Sequence, residues 1–400
     1  MKKSLLLFLS ISSVFQMQAQ IDYDEVLGGN LNTITTAVPF LLISPDSRSG
    51  AMGDVGVATT PDASSMHWNP AKLSFTKDDI GISVSIVPWL RELVPDINLQ
   101  YIGGYYRLND NEAIGYELRY FSLGDITFTD NSGNVIGQYK PNEMAFGTAY
   151  SRKLSRDFSI AISARYIFSN LTGGQSAGGT ETVAGQSIAA DVSTFYTKPI
   201  SLANKKSDLS FGMNISNIGN KISYTETITR DFIPINLRLG TDITTEIDDY
   251  NKMSFAFDIN KLLVPSPPLY DDNGVMIAGK DPNVSVVSGM FQSFGDAPGE
   301  IDENGNPVSG SIFREEMREI NISAGLEYWY ANQFALRAGY FHEHDTKGGR
   351  KYLTFGSGVK YNVFALDFSY LISTSNIGGT NPLANTMRFT LVFDLGAIGS

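Results

Sequence analysis

Three histidines are the first side chains of this sequence to consider for chemistry. His342 and His344 flank Glu343, and His67 precedes Trp68. A helical zinc protease needs its two histidines four positions apart, which this spacing does not provide. On a strand, His342 and His344 would share a face and could bind a metal weakly, but a solvated strand end is the simpler interpretation. We interpret His67 as a packed residue and not as a base.

Two acidic loop runs resemble calcium loops only in part. Residues 271–274 (DDNG) and 302–306 (DENGN) repeat oxygen ligands, but neither has glycine at the sixth position and glutamate at the twelfth. We interpret both as ordinary Asn-Gly turns. The chain has no cysteine, which excludes disulfides, thiolate catalysis and cysteine metal sites. We expect no catalytic residue, metal or cofactor, and an enzyme that modifies lipid through the two rim histidines is a minor alternative.

Charge and hydropathy restrict the class of protein further. The formal net charge is -12 and no basic run is present, so nucleic acid is not an expected partner. The mean hydropathy is -0.08, and no segment that would follow a cleaved leader has 18 consecutive apolar residues, so helical membrane spans are not expected. Residues 1–19, with Lys2 and Lys3 before an apolar run, are typical of a secretory signal peptide. Export without disulfides is consistent with a bacterial envelope.

From Ile80 onward, apolar and polar residues alternate with a period of two in segments of about ten residues, which is typical of a transmembrane β-barrel. In the clearest segment, Ala365, Asp367 and Ser369 lie on one face, and the opposite face carries Phe364, Leu366, Phe368, Tyr370 and Ile372. The pattern predicts about fourteen strands, an even number as in bacterial outer-membrane barrels. They lie near 80–87, 97–108, 112–124, 142–153, 157–170, 184–198, 207–217, 233–247, 251–263, 318–330, 333–345, 351–362, 363–375 and 386–395.

The lengths of the connections favour a membrane barrel over a soluble sandwich. The connections alternate along the chain between two sets. Most members of one set are tight turns and most members of the other are long, as expected for short periplasmic turns and long outer loops. The short 346–350 turn and a longer 199–206 link are exceptions to this parity. The long connections run roughly over 125–141, 171–183, 218–232, 264–317 and 376–385.

The two faces of the predicted strands differ in chemistry. Tyrosines near strand ends are expected at the membrane interface: Tyr101, Tyr105, Tyr116, Tyr120, Tyr328 and Tyr330. The polar face interleaves both charge signs, which predicts a lumen crossed by ion pairs and closed by a plug: Glu117, Arg119, Arg165, Arg238, Asp242, Asp258, Glu327, Arg337, Asp367, Arg388 and Asp394.

The stretch from residue 39 to 75 follows none of this alternation and is predicted to be the plug. Gly50, Gly53 and Gly56 permit close backbone approach and positive φ. A short helix is expected with Thr60 as its N-cap and its end at 69–70, because proline disfavours helix in the residue before it. We therefore divide the chain into a signal peptide (1–19), an N-terminal segment and plug (20–78) and a barrel (79–400) with a long loop (264–317).

The plug stretch resembles the PorV family of outer-membrane barrels from the type IX secretion system. The residues that carry the resemblance are 36–41 (TAVPFL), 45–48 (PDSR), Gly50, 52–54 (MGD), 56–58 (GVA), 61–63 (PDA) and 67–72 (HWNPAK). A looser form of the pattern is similar to the hatch of FadL-type fatty-acid transporters, to whose fold PorV proteins belong. Outside residues 36–75 the resemblance rests on strand pattern and loop order. The plug motif expected to be structural is Pro39, Asp46, Ser47, Arg48, Gly50, Met52, Gly53, Asp54, Asp62, Trp68, Asn69 and Pro70.

The resemblance implies an all-β, fourteen-stranded antiparallel barrel in the bacterial outer membrane without a catalytic role. Its implied partners are the giant translocon barrel, cargo proteins with a C-terminal secretion domain, the cell-surface sortase complex and outer-membrane lipid. The alternative is a FadL-type transporter of hydrophobic small molecules. Apolar residues in two connections are either partner contacts or loops folded over the barrel's own mouth: Trp89, Leu90, Leu93, Met290, Phe291, Phe294 and Phe313.

Overall fold

The computed structural model describes residues 31–90, 96–129, 132–174, 181–225, 230–271, 273–302, 308–374 and 385–396. Fourteen antiparallel strands close into one barrel, in the order β1-β18-β17-β16-β15-β14-β11-β10-β9-β8-β7-β6-β3-β2. The predicted fold class and strand number are confirmed. The barrel strands are β1 (Ile80–Pro88), β2 (Ile97–Asn109), β3 (Glu112–Leu123), β6 (Asn142–Lys153), β7 (Phe158–Asn170), β8 (Gly185–Leu202), β9 (Lys205–Gly219), β10 (Asn236–Glu246), β11 (Asn251–Leu262), β14 (Asn321–Tyr330), β15 (Phe334–His342), β16 (Lys351–Tyr361), β17 (Phe364–Ser373) and β18 (Met387–Leu395).

Each barrel strand alternates between an exposed and a buried face, as the sequence predicts. In β7, Ile160 and Ile162 are exposed whereas Ser163 and Arg165 are buried. The first and last strands pair with Val84 opposite Leu391, which closes the sheet and removes the edges that would leave backbone groups unpaired in lipid. The exposed faces of the strands therefore form the apolar outside of the barrel, and the buried faces line its lumen.

The connections lie at two ends, which we name by length. The inner end carries the tight turns, and the outer end carries the long connections. The exception expected at 199–206 is wrong: β8 runs on to Leu202, and β9 begins at Lys205. Ala203 and Asn204 form the turn with φ of 49° and 63°, the positive values of a two-residue hairpin. The contrast between the two ends is thus sharper than predicted.

The outer end carries additional elements. Two small sheets stand there, β4 (Ile126–Thr129) with β5 (Val135–Tyr139) and β12 (Leu269–Tyr270) with β13 (Met276–Ala278). The segment between β11 and β14, which we call the outer segment (263–320), also holds two helices, Val286–Gln292 and Ser311–Arg318. No helix in the described ranges is long and apolar enough to cross a membrane.

Two of the tyrosines predicted at the membrane interface point into the barrel. Tyr101 and Tyr105 are 0% and 2% exposed, and the Tyr101 ring lies 5.6 Å from the guanidinium carbon of Arg119. Glycines leave the space for both rings, because a Cβ on Gly103 would lie 2.4 Å from the Tyr101 hydroxyl and one on Gly81 2.2 Å from the Tyr105 ring. The interface prediction for these two residues is wrong, whereas Tyr330 is 50% exposed near its strand end.

The plug crosses the lumen from one end to the other. At the outer end, the backbone amide of Asn32 donates to the carbonyl of Thr346, which lies 3.0 Å away in the connection between β15 and β16. At the inner end, β1 begins at Ile80, opposite Leu395 of the last strand. Between them, 3₁₀-helix Pro39–Leu42, helix α1 (Ser47–Gly50), helix α2 (Ser65–Trp68) and 3₁₀-helix Pro70–Phe75 pack inside the wall. The numbering continues in the outer segment, where Val286–Gln292 is α3 and Ser311–Arg318 is α4.

An apolar layer lies in the lumen beneath the outer end. Val38, Phe40 and Leu41 of the plug are at most 3% exposed and pack with residues from the outer ends of several strands, such as Leu99 and Ile167. The rest of the lumen is lined mainly by polar and charged groups. The plug is therefore held by hydrophobic burial near the outer end and by polar contacts below it.

The direction of the plug can be tested because the chain has no cysteine. Leu31 and Val275 are 71% and 60% exposed at the outer end, and Asn204 is exposed at the inner end. We expect Leu31→Cys and Val275→Cys to react with a membrane-impermeant maleimide on intact cells, and Asn204→Cys to react only after the outer membrane is permeabilised. Labelling of Asn204→Cys but not Leu31→Cys on intact cells would reverse the assignment of the two ends.

Candidate functional site

The plug begins with a short helix that Asp46 organises. One carboxylate oxygen of Asp46 accepts from the amide of Ser49 at 2.8 Å, and the other accepts from the Trp68 indole nitrogen at 2.6 Å. Asp46 is fully buried and is the N-cap of α1. One side chain thus joins the first half of the plug to the second half. The sequence analysis placed Asp46 in the motif but did not predict α1.

The second plug helix begins later than predicted. Thr60 is not its N-cap: α2 starts at Ser65, and Asp62 accepts from the amide of Ser64 at 3.0 Å and from the Ser65 hydroxyl at 3.1 Å. Thr60 instead offers its carbonyl and hydroxyl oxygens to Arg48, at 3.0 and 2.6 Å. The predicted end of the helix at Asn69 is confirmed. The tertiary contact with Arg48 overrides the local capping preference of Thr60.

Arg48 carries the main ionic link between plug and wall. Its guanidinium donates to both carboxylate oxygens of Glu327 in β14, at 2.9 and 2.7 Å, and to Asp62 at 2.8 Å. Glu327 also accepts from Arg337 at 2.7 Å, and Arg337 reaches Asp367 at 2.5 Å. The chain of charges crosses β14, β15 and β17, so its members satisfy one another in a buried setting where an isolated charge would be costly.

Two glycines allow the plug backbone to touch the wall backbone. Gly53 has φ of +70°, and a Cβ there would lie 2.5 Å from the carbonyl oxygen of Tyr340. A Cβ on Gly339 would lie 2.0 Å from the carbonyl carbon of Met52. Only glycine fits on either side of this contact. The close approach that the glycine spacing predicts is therefore present.

The Trp68-Asn69-Pro70 motif fixes the second half of the plug. The Asn69 amide donates to the carbonyls of Val57 and Thr194, each at 2.9 Å, and its oxygen accepts from the amide of Ala71 at 3.0 Å. Pro70 opens the 3₁₀-helix that follows. The carbonyl of Trp68 accepts from Asn214 of β9 at 3.0 Å. The motif therefore binds the plug to neighbouring strands β8 and β9.

Other motif residues contact other strands. Amides of the plug bind wall side chains: Ser47 to Thr390 at 2.8 Å, Gly53 to Thr354 at 2.8 Å, and Gly56 and Val57 to Asp258 at 2.8 and 3.0 Å. Asp54 accepts from the Tyr352 hydroxyl at 2.5 Å and lies 3.6 Å from Arg388. Arg388 also donates to the carbonyl of Gly50. Met52 is buried beside Val55 and Ala256. Pro39 is the first residue of the first 3₁₀-helix.

A second buried charge cluster surrounds His67. Glu117 accepts from Arg119 at 2.9 Å and from Arg165 at 2.9 Å, and Arg165 also binds Asp191 at 3.0 Å. His67 is 5% exposed and contacts Arg119, which confirms its interpretation as a packed residue. The sequence analysis did not identify Asp191, although its alternation in β8 places it on the polar face.

The predicted lumen charges face inward. All of the eleven are buried except Asp394, which is half-buried and pairs with Lys360 at 2.6 Å near the inner end. The expected crossing of the lumen by ion pairs is confirmed for the two clusters centred on Glu117 and Glu327. Arg238 instead stacks over the Trp68 ring, with its guanidinium carbon 4.9 Å from the ring centroid.

The apolar residues predicted as partner contacts fall into two groups. Phe291, Phe294 and Phe313 of the outer segment are 77%, 56% and 70% exposed. Met290, Trp89 and Leu90 are half-buried and pack on apolar residues of the barrel mouth. Leu93 lies outside the described residues. The structure thus leaves the three phenylalanines available to a partner and uses the second group to cover the mouth.

Two cavities border the plug. The larger, about 640 Å³, lies towards the inner end and is lined by charged groups that include Arg48, Asp62 and Asp242. The smaller, about 360 Å³, lies near the outer end between plug residues 35–39 and the wall, where Phe121, Leu123 and Glu143 line it.

The histidines and those acidic loop residues that the structure describes show no metal-binding geometry. Within the described ranges, no group of three or more His, Asp or Glu side chains is arranged to hold a metal ion. His344 caps a short 3₁₀-helix by accepting from the amide of Thr346 at 3.3 Å. Asp271 accepts from the amides of Asn273 and Val275 at 2.9 and 2.8 Å, the pattern of an ordinary turn. The second acidic run falls largely at 303–307, outside the described residues.

A protein-family model identifies the relatives of this chain. The model described as "Type IX secretion system protein PorV" matches residues 28–269, which is more than half of the 400 residues and includes the whole plug. The chain belongs to the PorV family. Membership associates it with type IX secretion, and together with the closed barrel it indicates an outer-membrane location. The comparison with curated proteins gave no match.

Solved structures similar to this PorV-family chain include a transporter, a channel and a FadL homologue. The toluene transporter TbuX of Ralstonia pickettii has 11% identity and a TM-score of 0.47, with 91% of this chain and 98% of that chain covered. A FadL homologue of Pseudomonas aeruginosa has 11% identity and a TM-score of 0.43, covering 91% and 99%. The monoaromatic hydrocarbon channel CymD has 11% identity and a TM-score of 0.45, covering 89% and 98%.

The backbone contact at Gly53 gives a test of plug anchoring in this PorV-family barrel. Gly53→Ala adds a methyl group against the Tyr340 backbone at a positive φ, so we expect a loss of about 1–3 kcal/mol and a lower temperature for loss of the folded electrophoretic form. Gly295→Ala is the matched control, because nothing lies within 4 Å of its added Cβ. Equal unfolding temperatures for the two variants would contradict the close contact.

Proposed function

We propose that this protein is a non-enzymatic outer-membrane component of the type IX secretion system. It binds the C-terminal secretion domains of cargo proteins and passes them from the giant translocon barrel to the sortase complex at the cell surface. Family membership supports the system, and the division between a plugged lumen and an exposed outer segment supports the role.

The plug makes the lumen an unsuitable path for a folded cargo domain. Its contacts reach β8 and β9 on one side and β14, β16 and β18 on the other: Asn69 with Thr194, Trp68 with Asn214, Arg48 with Glu327, Gly53 with Thr354, and Ser47 with Thr390. Removing the plug would take Arg48 away from buried Glu327 and two backbone amides away from buried Asp258, at a cost of several kcal/mol. Cargo is therefore expected to meet the outside of the barrel.

The outer segment offers the chemistry that a protein partner would use. Exposed phenylalanines on structured elements lose little conformational entropy on binding, and aromatic residues dominate many protein interfaces. Phe291 belongs to α3, Phe313 to α4, and Phe294 lies in the turn after α3. We assign these three residues to contact with the translocon barrel or with cargo.

Uptake of hydrophobic small molecules is the alternative function. The small cavity beside Phe121 and Leu123 is partly apolar and could hold such a molecule. Passage through the lumen would then require the molecule to cross the charged layer of Arg48, Glu327 and Arg337, which disfavours an apolar solute. We therefore place transport second.

Co-purification tests the proposal. The mature barrel is isolated from its native outer membrane in mild detergent, and the proteins that accompany it are identified by mass spectrometry. We expect a giant barrel and secreted proteins that share a C-terminal domain. Replacing Phe291, Phe294 and Phe313 together by serine should reduce their yield more than tenfold, because each well-placed aromatic contributes about 2 kcal/mol to an interface.

The control replaces exposed aromatics at the other end of the barrel. Tyr250 and Tyr361 are 64% and 71% exposed beside inner-end turns, and a double Tyr→Ser variant should keep the partners. Equal yields from both variants would remove the outer segment from the interface. A barrel that purifies alone and carries only fatty acid or hydrocarbon would favour transport instead.

A further inference from the structure

A buried cluster of charges fastens α4 of the outer segment to the barrel. Lys261 stands near the end of β11, at the outer end of the barrel. Its ammonium lies 3.0 Å from Glu316 and 2.7 Å from Glu319. Lys347, in the connection between β15 and β16, lies 3.1 Å from Glu319 and 2.7 Å from Glu315. Lys261, Lys347, Glu316 and Glu319 are each less than a tenth exposed. Two lysines of the barrel rim therefore hold three glutamates on one side of a single helix.

The same glutamates also bind parts of the outer segment that precede α4 in the chain. The amides of Asp296 and Ala297 donate to Glu316 at 2.8 and 2.9 Å. The Ser266 hydroxyl donates to Glu319 at 2.6 Å. Burial, with a further contribution from the Glu316 charge, raises the pKa of Asp296 to about 6. The carboxylates of α4 thus connect the start, the middle and the end of the outer segment.

The N-terminal end of the plug joins this cluster. The side-chain amide of Asn32 donates to Glu315 at 2.9 Å and to the carbonyl of Pro267 at 3.1 Å, and Asn32 is 6% exposed. Its backbone amide binds the carbonyl of Thr346, next to Lys347. The N-terminal end of the plug, the outer segment and the β15–β16 connection consequently meet at one point.

The cluster also contacts the exposed aromatic surface directly. The Lys261 ammonium lies 5.9 Å from the centroid of the Phe294 ring, within the range of a cation–π contact. Within α3, Gly289 packs so closely on Phe232 that an added Cβ would lie 2.7 Å from its ring. Contacts with residues of the barrel and its connections therefore fix the position of α3.

From these contacts we infer that Lys261, Lys347, Glu315, Glu316 and Glu319 are positioning residues for the partner-binding surface. They hold α3 and α4 in one orientation on the barrel rim and couple that orientation to the plug through Asn32. Buried ion pairs contribute little net stability because desolvation offsets their attraction, and their best-attested use is to select one arrangement over others. The fixed orientation stands on the contacts alone, whereas its use in binding rests on the proposed function.

Spin labels measure the orientation without reference to any partner. Arg314 of α4 and Gln100 of β2 are exposed, so Arg314→Cys with Gln100→Cys gives one distance between outer segment and barrel. We expect a single narrow distance distribution in the otherwise unchanged protein. Lys261→Met leaves Glu316 and Glu319 buried without one of their cations, and the distribution should broaden and shift.

A second substitution distinguishes positioning from general damage. Glu316→Gln keeps the oxygen that accepts from Asp296 and Ala297 and removes the charge that faces Lys261. The pair Lys261→Met with Glu316→Gln should therefore return the distribution towards its narrow form, since loss of both charges costs less than loss of one. Lys360→Met is the control, because Lys360 pairs with Asp394 at the inner end and should leave the distribution unchanged.

A label pair within the barrel checks that the fold is intact. Gln100→Cys with Gln186→Cys joins two strands, β2 and β8, and should give the same distance in every variant. If Lys261→Met leaves the Arg314 distance narrow, or if it disturbs the barrel pair as well, the positioning role is wrong.

Co-purification of the same variants separates this inference from the proposed function. Loss of partners with Lys261→Met, and their return with the added Glu316→Gln, would show that partners need the fixed orientation. A broadened distribution with unchanged partners would keep the orientation device and overturn its role in binding. Absence of partners even from the unchanged protein would instead count against the proposed function.

Discussion

The lumen of this barrel is polar, and every charge in it must find a partner inside the protein. A closed antiparallel sheet satisfies all of its backbone groups, but its alternation sends each second side chain inward. Here those side chains include Glu117, Arg165, Glu327 and Arg337, all less than a twentieth exposed. Charges on neighbouring strands neutralise part of this set, and the plug supplies the rest through Arg48 and its backbone amides.

The plug motif follows from this requirement. A segment that offers amides to Thr354, Thr390 and Asp258 must bring its backbone against the wall, which explains why glycine stands at 53. Glycine at 56 instead leaves room for the Trp68 ring of the plug, which an added Cβ would approach to 2.3 Å. A segment that crosses the lumen also needs internal links, which Asp46 and Asn69 provide by side-chain bonds between turns. The residues of the plug motif are thus those whose contacts depend on exact backbone position, whereas the strands need only alternation.

This difference decides what could be predicted from the sequence. The strands could be predicted to within a few residues because a period of two is a local property, and β7 and β17 show it clearly. The inward position of Tyr101 and Tyr105 could not be predicted, since it depends on space left by Gly103 in the same strand and by Gly81 in the neighbouring strand β1. The turn at 203–204 was also hidden, because Ala203 adopts a positive φ that its residue type does not favour.

The candidate site was predictable only as a set of residues and not as a set of contacts. Arg48 and Glu327 are 279 positions apart, and Lys261 and Glu319 are 58 apart, so nothing local relates the members of either pair. Exposed phenylalanines could be proposed from the composition of the long connection. The lysines that orient them could not, because Lys261 is out of phase with the inward positions 254, 256 and 258 of β11, and its burial depends on Glu316 and Glu319 of the distant outer segment.

The plug and the outer segment form one continuous path of contacts across the barrel. From Asn32 the plug chain runs to Asp46, to Trp68 and on to β1, and at its start it is bound to α4 through Glu315. A displacement of α4 would therefore act directly on Asn32, whose hydrogen bonds within the described ranges go to Pro267, Thr346 and Glu315. Deeper in the lumen, Arg48 is held by three groups at once, Glu327, Asp62 and Thr60. The layer of charges around Arg48 thus occupies the lumen through contacts separate from those between Asn32 and α4.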